Sequence, residues 1–170
     1  MKRFVFVLCA ALFLEGCSWI GDAFPKSLDF VSSGCASETK GGLYDAESEL
    51  MLKYTPEGLL VSRKNAEMNC AIKDGGIDCK VSVDRSVIKY MVRQKSELSA
   101  NCTCLVKEMS STISGLKEGS DYTFYYSCQD EAPLVPIDFT FKKGFVLVID
   151  PELYAAPLVD MGDGTWGYDI

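Results

Sequence analysis

The stretch Ile77-Asp-Cys-Lys-Val-Ser-Val83 alternates apolar and polar residues along its whole length. Because successive side chains of a β-strand point to opposite faces, this alternation predicts a strand with one buried and one solvated face. Similar short segments, rich in apolar and β-branched residues, lie on both sides of it. The predicted strands cover residues 50–54, 59–63, 66–73, 77–83, 86–93, 110–114, 122–128, 137–141 and 145–149. Many short strands without helical periodicity predict an all-β fold, an antiparallel β-sandwich over residues 45–150.

A turn signal precedes the opening stretch. With Asp74-Gly75 as a two-residue loop, the preceding segment and the alternating strand form a hairpin in which Cys70 faces Cys79. The two cysteines then occupy a closely spaced pair, and a disulfide is expected between them. If Gly75-Gly76 forms the loop instead, Cys70 faces Val81 and the bridge is not expected.

The chain has eight cysteines, of which two lie in the first seventeen residues. An even number of remaining cysteines predicts disulfides in an exported chain. Cys102 and Cys104 lie on the same face of a strand and are poorly placed to bond each other, so each is expected to reach a neighbouring strand, with Cys35 or Cys128 as partner. Their spacing lacks the Cys-x-x-Cys pattern of structural zinc, and no metal or cofactor is predicted. The disulfide candidates are Cys35, Cys70, Cys79, Cys102, Cys104 and Cys128.

The amino-terminal segment has the pattern of an export signal. Lys2 and Arg3 precede eleven apolar residues, 4–14. This run is too short for a bilayer-spanning helix, which needs roughly 20 residues, and has the length of a signal-peptide core. It ends in Leu14-Glu-Gly-Cys17, which resembles the lipobox of bacterial lipoproteins, although Glu15 departs from the usual small residue. The alternative is an ordinary secretory signal that contains a cysteine by chance.

The lipoprotein resemblance implies a location and an anchor. In that family the chain is cut before the cysteine, which receives diacylglycerol, and the new amino group receives a fatty acid such as palmitate. Here the lipid attachment residue is Cys17. Ser18 stands where an aspartate marks inner-membrane retention in some bacteria, so an outer-membrane location in the cell envelope is implied. The expected organisation is a signal peptide, a lipidated tether, the sandwich and a tail, at residues 1–16, 17–44, 45–150 and 151–170.

A second motif refines the fold. Leu116, Gly119 and Tyr122 follow one another at intervals of three residues. This spacing resembles the tyrosine corner of immunoglobulin-like and fibronectin type III domains, in which the Tyr hydroxyl bonds a backbone group upstream. The resemblance implies an immunoglobulin-like sandwich and structural roles for these three residues.

A wider resemblance covers residues 50–128. The order of a Leu-rich hairpin, Asn69-Cys70, a strand, Asn101-Cys-Thr-Cys104 and the tyrosine corner is similar to small cysteine-containing lipoproteins of unknown function from Bacteroidetes. Those proteins often have Tyr-Asp after the Cys-x-Cys, where this chain has Leu105-Val-Lys107. The resemblance implies location and fold, and it implies no activity.

The amino-acid composition reduces the number of function classes to consider. The net charge of −7 disfavours binding to nucleic acid. The absence of histidine excludes Ser-His-Asp and Cys-His catalytic sites, and no catalytic residue is assigned. The leading hypothesis is an accessory module that binds or scaffolds other envelope components, proteins or glycans. A carbohydrate-binding module of a glycan-uptake system, using aromatics of residues 122–127, is the first alternative, and a carboxylate-based hydrolase is the second. Trp166 and Tyr168 in the tail are candidates for partner contact.

Overall fold

A computed structural model describes residues 27–35, 47–72, 76–95, 102–129, 131–160 and 166–168. In these ranges all regular structure is β. The strands are β1 (Ser27–Ser32), β2 (Glu49–Thr55), β3 (Gly58–Asn69), β4 (Ile77–Asp84), β5 (Val87–Gln94), β6 (Thr103–Ile113), β7 (Ser120–Cys128), β8 (Ile137–Phe141), β9 (Val146–Ile149), β10 (Leu158–Asp160) and β11 (Trp166–Tyr168).

Two sheets form the body. The five-stranded sheet has the order β1-β6-β3-β2-β9 and is antiparallel throughout, and the four-stranded sheet has the order β4-β5-β7-β8. β10 and β11 form a separate two-stranded ribbon. The prediction of an all-β sandwich with disulfides is confirmed. One pair differs from the expected antiparallel pattern, because β5 and β7 are parallel. The chain leaves β5, runs along β6 in the other sheet and returns, and such a crossover makes neighbours parallel.

The core lies between the inner faces of the two sheets. Leu52 and Val61 come from the larger sheet and Phe124 and Ile88 from the smaller one, and each is at most 1% exposed. The rings of Tyr54 and Phe141 also pack across the sheets, although Tyr54 is half-buried; their centroids are 4.9 Å apart. Apolar side chains from both sheets thus form one contiguous core.

The expected hairpin around Asp74-Gly75 is wrong. Residues 66–69, predicted as its first arm, continue β3 in the five-stranded sheet, whereas β4 belongs to the four-stranded sheet. The turn residues 73–75 themselves lie outside the described ranges. β3 continues because it has a long partner: the β3–β6 register runs from Leu59↔Ile113 to Asn69↔Thr103. Ten residue pairs of non-local pairing therefore outweigh a local turn signal.

The segment expected as a tether is partly structured. β1 pairs with β6, and Cys35 forms an isolated bridge with Val106. Residues 27–35 therefore belong to the sandwich. Cys17 and the signal segment lie outside the described ranges.

The tyrosine-corner residues form the contact that the motif implies. The backbone N–H of Lys117 donates to the Tyr122 hydroxyl at 2.9 Å. Gly119 has a φ of +82°, a left-handed conformation that favours glycine. Leu116 is half-buried and packs against the core. The link holds the β6–β7 connection against the start of β7.

Candidate functional site

Two disulfides lie at one end of the β3–β6 pair. Cys70 and Cys102 continue the strand register, and Cys35 bonds Cys104 from the neighbouring edge; the Cα atoms are 5.6 Å apart in both bridges. The expected Cys70–Cys79 bridge is wrong, because Cys79 lies on β4 in the other sheet. Cys102 and Cys104 each bond a cysteine other than one another, as expected, and Cys35 is the partner of Cys104. The expected choice of Cys35 or Cys128 is wrong for Cys102, which bonds Cys70 at the end of β3.

Cys79 and Cys128 belong to neither of these disulfides. Both lie opposite Val92, one on β4 and the other on β7. Two strand spacings separate them, about 10 Å, which is beyond the reach of a disulfide. The Cys79 thiol lies beside Tyr90, and Cys128 is close to Tyr126. Cys128 belongs to the hydrophobic core, and Cys79 packs against that core.

A polar cluster, here called the interior cluster, is enclosed where β3 meets the loop after β7. Its centre is Arg63, which is 3% exposed. Arg63 Nη2 donates to Glu131 Oε1 at 2.7 Å, and Nη1 donates to the Ser48 hydroxyl at 2.5 Å. The same Glu131 oxygen accepts the backbone N–H of Glu67 at 3.0 Å. One ion pair thus connects the five-stranded sheet to a loop of the four-stranded sheet.

Burial shapes the protonation of this cluster. Desolvation raises the pKa of Glu131, and the charge of Arg63 opposes that rise. Desolvation also raises the pKa of Tyr126, whose hydroxyl, like Arg63 Nε, has no hydrogen-bond partner in the described part of the chain. The cluster is closed to solvent on the Arg63 side, so its arrangement suits a structural link between sheets.

The backbone explains why an arginine points inward. Alternation along β3 puts Leu59, Val61 and Arg63 on the inner face. Asn65 has a φ of +53°, and the inner positions then shift to Ala66 and the residues beyond it. The sequence-based interpretation did not identify Arg63. The alternation of β3 does place it on the same face as the apolar residues two and four positions earlier, and this was the available signal for a buried arginine.

A second buried polar contact spans the two sheets. The hydroxyls of Tyr90 on β5 and Ser111 on β6 are 2.9 Å apart. Burial is the main cause that raises the pKa of Tyr90, and the neighbouring Cys79 thiol adds to it. Tyr90 therefore stays protonated and hydrogen-bonded in the core.

We expect the protein to lose stability as the pH rises above about 10, the ordinary pKa of tyrosine. The unfolded chain releases the protons of Tyr90 and Tyr126 there, whereas the folded chain keeps them. The folded state then binds more protons, so the free energy of unfolding falls as the pH rises. Phenolate absorbance followed beside circular dichroism measures this. Ionisation of every tyrosine while the fold persists would contradict this prediction. In Tyr126→Phe the free energy of unfolding should decrease less steeply with pH.

The outer face of the four-stranded sheet has a depression of about 310 Å³ between β7 and β8. Two cross-strand pairs line it. The Thr123 hydroxyl donates to Asp138 and the Thr140 hydroxyl donates to Asp121, both at 2.7 Å. We call it the β7–β8 depression, and the residues lining it are Ser86, Asp121, Tyr122, Thr123, Asp138, Phe139 and Thr140.

The chemistry of the β7–β8 depression fits a polar ligand. Carboxylates and hydroxyls can exchange hydrogen bonds with a polyhydroxylated molecule. Asp121 and Asp138 are both exposed, whereas a carboxylic acid used in glycoside hydrolysis is normally surrounded by apolar groups. Among the described residues no group of three or more Cys, Asp and Glu side chains could hold a metal ion.

The aromatic segment considered for ligand stacking points mostly inward. Tyr122, Phe124 and Tyr126 are buried, and Tyr125 on the outer face is half-buried. Exposed apolar side chains also occur outside this segment, and four of them lie near the carboxyl end. They are Leu153, Tyr154, Leu158 and Tyr168, with exposed fractions of 81, 40, 56 and 37%. We call these four residues the C-terminal apolar surface.

Comparison with known proteins adds no relative. No protein-family model matches the chain, no curated protein is significantly similar to it, and no solved structure significantly matches it. None of the described residues forms a helix long and apolar enough to cross a membrane.

Proposed function

We propose that this chain is a lipid-anchored lipoprotein of the bacterial cell envelope, at the outer membrane, where it acts as an accessory binding or scaffolding module. The segment before Cys17 supports export and lipid attachment by its resemblance to lipoprotein signals. Two disulfides support an oxidising compartment, because such bonds persist mainly outside the cytoplasm. The proposal assigns no catalytic residue and no cofactor.

The C-terminal apolar surface is the observation that carries the binding role. Leu158 and Tyr168 are directly opposed on β10 and β11. Leu153 and Tyr154 lie in the turn that precedes this ribbon, and the Tyr154 carbonyl accepts the Val135 N–H at 2.8 Å, which attaches the turn to the sandwich. Aromatic and aliphatic side chains held at a surface in this way are typical of protein interfaces. The proposed partner is another envelope protein.

The anchor has its own test. Cys17→Ala should abolish palmitate labelling and globomycin-sensitive processing, because the thiol is the site of lipid attachment. Immunoblotting must show that the variant is still made. Labelling that survives the substitution would refute the lipoprotein proposal and leave the binding proposal standing.

The binding role is tested in intact cells. A photo-reactive amino acid at Leu158 should give one cross-linked envelope protein, identified by mass spectrometry. The matched control is the same amino acid at Lys89, an exposed position on the outer face of the four-stranded sheet. Loss of the product on Leu153→Asp is expected, since a buried carboxylate disfavours an apolar interface. Equal cross-linking from Lys89, or none from Leu158, would argue against the surface.

A carbohydrate-binding module is the second candidate, and the β7–β8 depression favours it. Binding of bacterial surface glycans, measured calorimetrically, should weaken in Asp121→Asn and Asp138→Asn if the carboxylates accept sugar hydroxyls. Asp84→Asn, an exposed acidic residue outside the depression, is the control. Identical glycan binding by all three variants would eliminate this candidate.

A further inference from the structure

β9 lies at one edge of the five-stranded sheet, next to β2. The Tyr54 N–H donates to the Phe145 carbonyl at 2.9 Å, which makes these opposed residues a hydrogen-bonded pair. Hydrogen-bonded and non-hydrogen-bonded pairs alternate along an antiparallel ladder, so Val146 and Val148 are at non-hydrogen-bonded positions toward β2. Their N–H and C=O groups therefore point to the open edge of the sheet.

The side chains at this edge are also available. Val146 is 53% exposed and Val148 is 52% exposed, both on the outer face, while Leu147 between them packs against the core. The edge thus offers two backbone donors, two backbone acceptors and two apolar side chains together. An edge of this composition is a template for another strand.

The other edge strands of the two main sheets, as far as the structure describes them, carry protective features. β1 has a register shift and a left-handed residue, Asp29 with a φ of +53°. β4 has Lys80 and Asp84 among its outward side chains. β8 contains Asp138. Charges, proline and bulges are the usual devices against unwanted pairing, and the Val-Leu-Val-Ile sequence of β9 has none of them.

We infer that β9 pairs antiparallel with β9 of a second copy of this chain. In the register that uses both free positions, Val146 of each copy lies opposite Val148 of the other, and Leu147 lies on the two-fold axis. Each of the two valine pairs exchanges two backbone hydrogen bonds, which gives four. The four valine side chains come together on one face, and two five-stranded sheets become one continuous sheet. An interface that uses the same patch on both copies is the commonest arrangement in homodimers.

Charge complementarity favours a second copy of the chain as the partner and an antiparallel direction of pairing. Lys142 and Lys143 come just before β9, and Asp150 and Glu152 come just after it; all four are exposed. Antiparallel pairing of two copies brings the basic end of each strand to the acidic end of the other. Parallel pairing would bring lysines to lysines and carboxylates to carboxylates. The ladder is short, so the dimer is expected to be weak and reversible.

The test is register-specific cross-linking in the envelope with the full chain. One tagged copy carries Val146→Cys and a second, differently tagged copy carries Val148→Cys. Co-expression followed by mild oxidation should give a disulfide-linked heterodimer, because opposed residues of a hydrogen-bonded pair have Cα atoms about 5.5 Å apart, within disulfide range. Either variant expressed alone should give several-fold less dimer, since each new thiol then faces a valine.

Two controls separate pairing from chance collision. The wild-type chain measures background exchange through its own cysteines. Val31→Cys, at a 62% exposed valine on the opposite edge of the same sheet, measures collision between copies. Equal dimer yields from all combinations would overturn the inference, as would a cross-link from position 148 to a different protein.

A charge exchange tests direction without new cysteines in the ladder. Lys142→Glu with Lys143→Glu should weaken self-association, measured by chemical cross-linking with a lysine-independent reagent. Mixing that variant with a copy carrying Asp150→Lys and Glu152→Lys should restore it. Restoration that fails while both variants stay folded by circular dichroism would contradict the antiparallel arrangement.

Discussion

Replacement of Arg63 by methionine is expected to lower the free energy of unfolding by about 3–5 kcal/mol. Methionine keeps much of the side-chain volume, so the loss measures electrostatics more than packing. It leaves the Glu131 carboxylate, with a side chain only 18% exposed, without the cation at 2.7 Å that offsets its burial. Chemical denaturation of the purified full chain, followed by circular dichroism, gives the value.

The neighbouring residue supplies the matched control. Lys64 also forms an ion pair, with Glu49 at 2.9 Å, but its side chain is 50% exposed. Lys64→Met should therefore cost about 1 kcal/mol or less. Glu131→Gln combined with Arg63→Met should recover much of the loss, because no unpaired charge then remains buried. Equal losses from Arg63→Met and Lys64→Met would show that the interior cluster is not an effective link between the sheets.

Removal of either disulfide is expected to cost about 4 kcal/mol. The bridges close loops with sequence separations of 69 residues for Cys35–Cys104 and 32 residues for Cys70–Cys102, and loop-closure entropy depends only weakly on such lengths. The paired variants are Cys35→Ala with Cys104→Ala, and Cys70→Ala with Cys102→Ala. Denaturant midpoints under non-reducing conditions measure the change.

The two bridges should differ in what they release. Loss of Cys35–Cys104 frees an edge strand, so limited proteolysis should cut near β1 while the rest of the sandwich persists. Loss of Cys70–Cys102 loosens the end of the central β3–β6 pair and should show mainly as global destabilisation. Reduction of the wild-type chain is the positive control. Peptide mapping that finds Cys70 bonded to Cys79 would contradict the pairing, as would wild-type stability in both double variants.

The elements that sequence predicts well are those determined by local pattern. The alternation from Ile77 to Val83 predicts β4 within one residue, and the segment 137–141 coincides with β8. These strands have one buried face, so their apolar positions repeat with the period of the backbone. The sandwich follows from their number and spacing.

Long-range choices could not be predicted in the same way. Whether Cys70 meets Cys79 or Cys102 depends on how far β3 extends, which its distant partner β6 determines. The β7–β8 depression joins Asp121 to Thr140 through a register that the intervening loop leaves undetermined in sequence. Glu131 lies 68 residues from Arg63, and neither residue alone marks a site. These features exist only through strand pairing.

The Cys35–Cys104 bridge has a mechanical consequence if the lipid anchor is as proposed. Ten peptide steps separate Cys17 from Ser27, so the sandwich can stand at most about 35 Å from the lipidated residue. Tension on this connecting segment acts on edge strand β1, whose hydrogen bonds to β6 would break one after another. The covalent bond from Cys35 to β6 lies beyond the far end of β1, so opening that starts at Ser27 stops there and the load passes to a strand inside the larger sheet, flanked by β3.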